Sequence, residues 1–324
     1  MKNVALGIDI GGTNTVFGLV DIDGKCLKVK SIATNDFETA EDLIKVIYQE
    51  VQEILKQLND SKIIGIGVGA PNGNYYNGTI EFAPNLKWKG VIPLAQLFNK
   101  HFNSQTFVTN DANAAAIGEM TYGVAKGVKD FVMITLGTGL GSGIVCNGQL
   151  IYGHDGFAGE LGHTIVEENG RECFCGRKGC LETYVSATGI VRTANIMLTE
   201  NSKSSLLRKT STDKITAITI AEAAQKGDYL ALDIFDYTAK KLGLSLSNLV
   251  AITSPEIIVL FGGLANSAES IIDPTQKYME EYLLQIFKNK IKIVSSSLVG
   301  NTAAILGASS LVWNELKNKN IEKA

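Results

Sequence analysis

The sequence predicts an α/β protein of two similar domains facing a shared cleft, and three observations carry that prediction. A strand, glycine turn, strand unit near the N-terminus recurs about 126 residues later. Apolar, strand-like runs flank both copies, and segments with the spacing of one apolar helical face lie between and after them. The 324 residues suffice for two domains of ordinary size, and 45% hydrophobic against 19% charged residues supports a large buried core.

The first copy opens with Val4-Ala5-Leu6-Gly7-Ile8-Asp9-Ile10, turns through Gly11-Gly12-Thr13-Asn14 and resumes at Val16 to Val20 before Asp23-Gly24. From Glu38 to Leu58, apolar residues at Ala40, Leu43, Ile44, Ile47, Val51, Ile54, Leu55 and Leu58 predict an amphipathic helix, followed by a strand over Ile63 to Val68. Gly65-Ile66-Gly67-Val68-Gly69-Ala70 formally fits a dinucleotide fingerprint, but Pro71 follows where a helix should open, so it is predicted as a strand packed closely on its neighbours. Thr106-Phe107-Val108 then leads into Asn110-Asp111 and an alanine-rich helix.

The second copy is Ile134-Thr135-Leu136-Gly137-Thr138-Gly139, turning through Leu140-Gly141-Ser142 into Gly143-Ile144-Val145 and Asn147-Gly148. Between Thr199 and Thr219 the chain is rich in Ser, Thr and Lys, which predicts a surface loop. Helices are predicted over Thr219 to Lys226 and Tyr229 to Ala251. A buried strand over Ile257 to Phe261 ends in Gly262-Gly263, and a closing helix runs from Thr302 to Leu316. The predicted division is residues 1–112 with 302–324 as a smaller lobe and 113–301 as a larger one.

A formal net charge of −3 with Lys and Glu evenly mixed gives no basic stripe, which argues against nucleic acid as a partner. No apolar run approaches the roughly 18 to 20 residues that cross a bilayer, and no signal-peptide pattern precedes Asp9. A soluble, cytoplasmic protein without membrane partners is expected.

Asp9 at a strand end, with glycines in the turn after it, lets backbone N–H groups approach an anion and lets the carboxylate hold a magnesium ion through water. A glycine turn between strands is also an ordinary hairpin, and the second copy at Gly137-Thr138-Gly139 tips the balance toward phosphate binding. Asp111, where a strand hands over to a helix, reads equally as an N-cap or as a catalytic base whose pKa the helix N-terminus lowers. His163, nine residues, Cys173, one residue, Cys175, four residues and Cys180 supply one imidazole and three thiolates, a closed tetrahedral set for a structural zinc. Glu160 and Glu182 bracket that cluster; either alone reads as a surface carboxylate, but together they are placed to accept hydrogen bonds from hydroxyls.

These motifs resemble the bacterial ROK family (repressors, open reading frames and kinases), and more closely its glucokinase-like members. The likeness spans nearly the whole chain: both glycine turns, Pro84-Asn85-Leu86-x-Trp88, Asn110-Asp111-Ala112-Asn113, Glu160-Leu161-Gly162-His163, and Cys173-x-Cys175-Gly176-x-x-Gly179-Cys180-Leu181-Glu182. It implies a two-domain actin/hexokinase-like (ribonuclease H-like) fold with an interdomain cleft, and ATP-dependent transfer of the γ-phosphoryl group to a hexose, first of all glucose. It implies Asp111 as general base, and Asn85, Asn110, Glu160, His163 and Glu182 on the sugar, with His163 also on zinc. Asp9, Gly11, Gly12, Thr13, Gly137, Thr138, Gly262 and Gly263 would then form the site for ATP and Mg²⁺. Related proteins are often dimers or tetramers, so a homo-oligomer is expected. Many relatives read Gly-x-Pro-Gly where this chain has Pro71-Asn72-Gly73-Asn74, a departure that bears on which sugar is preferred. N-acetylmannosamine, N-acetylglucosamine, fructose, mannose and allose remain alternatives. The family's repressors carry a helix-turn-helix ahead of the first glycine turn; with eight residues before Asp9, a kinase is expected over a sugar-sensing regulator.

Overall fold

The computed structural model describes residues 2–58, 60–265, 268–298 and 300–321, excepting the side chains of 268, 269, 301 and 318–321. The chain begins with β1 (Lys2–Ile10), β2 (Asn14–Val20), β3 (Cys26–Ala33), α1 (Ala40–Gln57) and β4 (Ser61–Gly69). Three short strands follow, β5 (Gly73–Asn74), β6 (Thr79–Glu81) and β7 (Val91–Ile92), then α2 (Leu94–Phe102), β8 (Thr106–Thr109) and α3 (Asp111–Tyr122). It continues through β9 (Phe131–Leu136), β10 (Leu140–Cys146), β11 (Gln149–Leu150), α4 (Glu182–Val185), α5 (Ala187–Glu200) and α6 (Ala217–Gln225). The last elements are α7 (Tyr229–Thr253), β12 (Ile257–Phe261), α8 (Ala268–Tyr282), β13 (Lys292–Ser295) and α9 (Gly300–Ile321).

Two five-stranded sheets have the same order, β3-β2-β1-β4-β8 and β11-β10-β9-β12-β13. In each, an antiparallel hairpin (β1 with β2, β9 with β10) continues into parallel neighbours (β4 and β8, β12 and β13). The repeat legible in the two glycine turns thus extends to whole sheets. Parallel strands place their carboxyl ends on one side, where open α/β sheets bind ligands.

The chain forms two compact units, Met1–Gly127 with Leu150–Ala158 and Ser297–Ala324, and Val128–Gln149 with Gly159–Ser296. This moves the boundary expected after residue 112. Helix α3 stays with the first unit because its small residues let α9 approach closely: a Cβ on Gly118 would stand 2.8 Å from Gly307 Cα, and one on Gly307 2.7 Å from the Ala114 carbonyl. Residues 150–158 return to the first unit because Tyr152 stacks on Tyr75 at 4.0 Å, Asn74 Nδ2 donates to the Asp155 carbonyl and Tyr76 OH to that of Gly153.

In the first unit α1 buries Ala40, Leu43, Ile44, Ile47, Val51 and Ile54, the face read from the sequence, and Thr39 caps its N-terminus by accepting from Asp42 N–H. Fully buried Leu and Ile side chains of this kind contribute about 1.5–3 kcal/mol each. The glycines of β1 and β4 answer to α9: a Cβ on Gly67 would lie 1.8 Å from the Ala308 carbonyl, and one on Gly7 2.4 Å from that of Ile305. The formal dinucleotide fingerprint is therefore a packing motif, as expected. Residues 199–219 are not a featureless loop. Short 3₁₀ turns at Leu206–Lys209 and Thr212–Lys214 bury Leu207 and Ile215, with Ser205 Oγ and Leu206 N–H donating to Asp228. Isolated apolar residues in a polar stretch give too little periodicity to announce such turns. Among the described residues no helix is long and apolar enough to cross a membrane.

Candidate active site

In the first unit the expected residues gather at the carboxyl ends of three adjacent parallel strands. Asp9 is the last residue but one of β1, Gly69 closes β4, and Asn110-Asp111 follow β8. Gly69 separates the two carboxylates: a Cβ there would stand 3.6 Å from Asp9 Oδ1 and 3.6 Å from Asp111 Cα. Gly12 lies under Asn85, where a Cβ would come within 2.6 Å of the Asn85 carbonyl, and Gly11 N–H donates to the Asn14 carbonyl at 3.0 Å to close the turn. The Asn85 turn is pinned by the buried Leu86 and Trp88, with Trp88 Nε1 donating to the Phe37 carbonyl, so Asn85 and Lys87 point outward. Thr13 is exposed at the turn, and its carbonyl accepts from Thr34 N–H.

Asn110, not Asp111, is the N-cap of α3: its side chain accepts from Ala112 N–H at 2.8 Å, and Asp111 is the first helical residue. Asp111 keeps an accessible surface. The surrounding protein nonetheless raises its carboxyl above the ordinary range, against the backbone N–H groups of Ala112 and Asp111 that lower it. Loss of hydration outweighs the helix N-terminus, which reverses the direction expected from sequence, and water at the accessible surface moderates the effect. Asp9 is pushed up to about 7, first by burial and then by the negative charge of Asp111.

The Asp9 shift has a sign that unfolding measures. Between about 3.8 and about 7 the folded chain holds a proton on Asp9 that the unfolded chain releases, so stability falls as pH rises through that window. Asp9→Asn removes the penalty. Without nucleotide or divalent metal, the variant is expected to melt about 2–4 °C above wild type at pH 8, equivalent to about 1 kcal/mol, and level with it near pH 4. A lower Tm at pH 8 would mean that Asp9 is held as a needed carboxylate by a partner.

In the second unit the glycine turn Gly137–Gly139 and the pair Gly262-Gly263 follow β9 and β12, adjacent parallel strands, so both lie at the same carboxyl end of the sheet. Gly262 (φ +112°) has no room for a side chain, since a Cβ would meet the Leu136 carbonyl at 2.4 Å. Gly137 and Gly263 face open space. Thr138 is exposed, and its carbonyl accepts from Thr188 Oγ1 at 2.9 Å. Gly137→Ala is accordingly expected to leave the Tm within about 1 °C and to raise the KM for ATP by about tenfold, because the methyl group enters the space where backbone N–H groups would meet phosphate. Gly67→Ala should cost about 3 kcal/mol in thermal or denaturant unfolding, since it fills a helix contact. Equal effects on stability would deny Gly137 a ligand-facing role.

His163, Cys173, Cys175 and Cys180 converge, each offering a ligand atom, all within 4.8 Å of one another. Cys175 and Cys180 Sγ are 3.6 Å apart, and Cys173 Sγ is 3.7 Å from His163 Nδ1. Zinc–sulfur bonds of about 2.3 Å give tetrahedral edges of about 3.8 Å, so this donor set fits a closed structural zinc site. The other ring nitrogen, His163 Nε2, faces Glu160 Oε2 at 3.9 Å. The loop carrying the cysteines is clamped by Arg171. Its guanidinium lies 4.5 Å from the Tyr184 ring centroid and donates to the Thr183 and Gly189 carbonyls, and the Arg171 backbone N–H donates to Tyr184 OH.

Glu182 makes contacts that the sequence reading did not include. Its Oε2 accepts from Leu140 N–H at 3.0 Å, a Cβ on Gly139 would lie 2.4 Å from that oxygen, and Oε1 is 3.6 Å from Cys173 Sγ. The metal loop and the second glycine turn, some forty residues apart in sequence, are therefore in contact. Sequence reasoning missed Thr188 and Ala187, which hold the turn from the other side; Ser186 as an N-cap before an apolar-periodic segment was the available signal.

A model of the ROK family matches residues 5–315. The chain belongs to the ROK family. It is 36% identical over 313 residues to a glucokinase of Thermotoga maritima, covering 95% of this chain and 96% of that protein. A ROK glucokinase of Streptomyces griseus, solved with glucose and AMPPNP, superposes with a TM-score of 0.80 at 33% identity, covering 95% of this chain and 98% of that one. A xylose repressor of Caldicellulosiruptor bescii is 28% identical over 96% of this chain and 78% of its own length. The fold is the α/β actin/hexokinase-like one that the resemblance implied.

Asn72 adopts φ +50°, with Nδ2 donating to the Glu81 carbonyl at 2.9 Å, a left-handed conformation that asparagine tolerates.

Proposed function

We propose that this ROK-family chain is an ATP-dependent glucokinase that forms glucose 6-phosphate. The observation that carries the reading is Asp111, an accessible carboxylate raised above its ordinary pKa at a parallel strand end, in a chain 36% identical to a glucokinase. A raised pKa suits a group that takes a hydroxyl proton near neutral pH. In this reading Asp111 accepts the proton of the 6-hydroxyl as its oxygen bonds to the γ-phosphorus and the bond from that phosphorus to the β,γ-bridging oxygen breaks to release ADP, while Asn85, Asn110, Glu160, His163 and Glu182 fix the sugar through its other hydroxyls. The turns carrying Gly11, Gly12 and Thr13, Gly137 and Thr138, and Gly262 and Gly263 would cradle the nucleotide phosphates, and Asp9 would hold Mg²⁺. The magnesium ion, when bound, neutralises charge on the phosphate oxygens. The His163, Cys173, Cys175 and Cys180 set would hold a structural zinc, with His163 Nδ1 on the metal side and Nε2 left for the sugar.

A coupled ADP-release assay over glucose, mannose, fructose, allose, N-acetylglucosamine and N-acetylmannosamine, with ATP or polyphosphate as donor, tests the proposal. Glucose with ATP should give the highest kcat/KM. A higher value for an N-acetylated sugar would reassign the substrate. Sugar binding without turnover on any of them would favour the sugar-sensing role that the likeness to a repressor keeps open. Assembly as a cytoplasmic dimer or tetramer belongs to the same proposal and is read by light scattering.

A further inference from the structure

We propose that the metal loop and the second glycine turn act as one unit, so that metal retention and nucleotide binding are energetically linked through Glu182 and Thr188. The inference rests on the kinase reading and concerns the regulation of its nucleotide site.

A turn of glycines loses more conformational freedom on binding a ligand than any other backbone, so whatever orders it beforehand raises its affinity. Within itself the turn has little to hold it: Gly137 N–H donates to the Gly139 carbonyl, and Gly141 N–H to Thr135 Oγ1. Further order comes from the β9–β10 ladder, where Leu140 pairs with Leu136, and from one stretch of chain leading out of the metal loop. Glu182 Oε2 takes Leu140 N–H, Ala187 N–H donates to the Gly137 carbonyl at 2.9 Å, and Thr188 Oγ1 to the Thr138 carbonyl. These bonds hold residues 137, 138 and 140 of the turn. Gly162, next to the ligand His163, completes the contact, since a Cβ there would lie 2.3 Å from the Leu140 carbonyl.

Glu182 is two residues from Cys180, and Leu181 N–H donates to the Thr164 carbonyl beside His163. Ligands on both sides of that ladder must hold their places for Glu182 to reach Leu140. A filled tetrahedron fixes them, and an empty one lets three thiols and an imidazole separate. The glycine turn is then freed with the loop. Arg171 stabilises the same segment but contacts no atom of residues 137–140 in the described hydrogen bonds, so the link runs through Glu182 and the α5 N-terminus. By linkage, a factor by which the metal tightens nucleotide binding is the factor by which nucleotide tightens metal binding.

Calorimetric titration with ADP, without sugar, tests this on zinc-loaded and chelator-stripped wild type and on zinc-loaded Glu182→Ala and Thr188→Val. Stripping is expected to weaken ADP binding by about 5–10-fold, and saturating ADP to raise by the same factor the chelator concentration that removes half the zinc. Zinc-loaded Glu182→Ala should show a comparable loss, and further stripping should change its ADP affinity by less than about twofold. ADP affinity within about twofold on stripping, with unchanged far-ultraviolet circular dichroism, overturns the link. If stripping unfolds the wild type, the zinc-loaded variants decide: ADP binding by both at the wild-type level overturns it. No ADP binding by zinc-loaded wild type at millimolar concentrations refutes the nucleotide reading itself, and this inference with it.

Discussion

Asp111→Asn is expected to lower kcat for sugar phosphorylation by at least about 10²-fold while sugar affinity stays within a few-fold of wild type. Asparagine keeps the size and much of the hydrogen bonding of aspartate and removes only the ability to take a proton. The structure makes this substitution a clean one. Because Asn110 caps α3, changing residue 111 leaves the cap in place, and because the surroundings raise the Asp111 carboxyl, a neutral amide there costs the fold nothing. The variant's Tm at pH 8 should equal or exceed that of wild type. The pH profile supplies a second sign. A base with a raised pKa loses activity as pH falls through that pKa, so wild-type kcat should decline on the acid side and the residual kcat of the variant should not follow the same limb. Turnover within a few-fold of wild type would reduce Asp111 to a structural residue of the first helical turn.

The contrast between Asn110 and Asp111 shows how far the sequence could be read. The strand-to-helix handover at Thr109 was legible because alternation stops and an alanine-rich helix begins. Which of two adjacent side chains turns back to cap the helix depends on backbone angles that composition does not encode. Asp9 was legible as a strand-end carboxylate, but its pKa of about 7 arises first from burial and then from Asp111 lying across Gly69, and both depend on strands that are not consecutive in sequence. The glycines of β1 and β4 looked like features of those strands, and the cause proved to be α9, more than two hundred residues further on. Local periodicity survives in sequence because each residue carries its own burial preference. Long-range contacts such as Glu182 with Leu140 leave no such mark, which is why the metal loop appeared remote from the phosphate turns.

That contact changes what loss of the metal should do. Cys175→Ala is expected to lower zinc content from about one ion per chain to nearly none, because three remaining donors no longer close the tetrahedron. The position favours the test: Cys175 is exposed, unlike the buried Cys173 and Cys180, so its removal leaves no core cavity. Taken from sequence alone, the consequence falls on the sugar, since Glu160, His163 and Glu182 depend on the loop while the phosphate turns lie elsewhere. The first half stays part of the proposal, and the contact between Glu182 and Leu140 revises the second. The KM for sugar should rise by the larger factor, on the order of 10²-fold, because loss of the ion removes the fixed placement of Glu160, His163 and Glu182 together. The KM for ATP should rise too, by the smaller factor of about 5–10, because Glu182 and the α5 N-terminus carry the disturbance to residues 137–140. Metal analysis and two-substrate kinetics on freshly purified protein separate the outcomes. Active wild type without zinc would remove the structural role of the ion, and a Cys175→Ala variant with a raised sugar KM and an unchanged ATP KM would restore the separation that the sequence suggested.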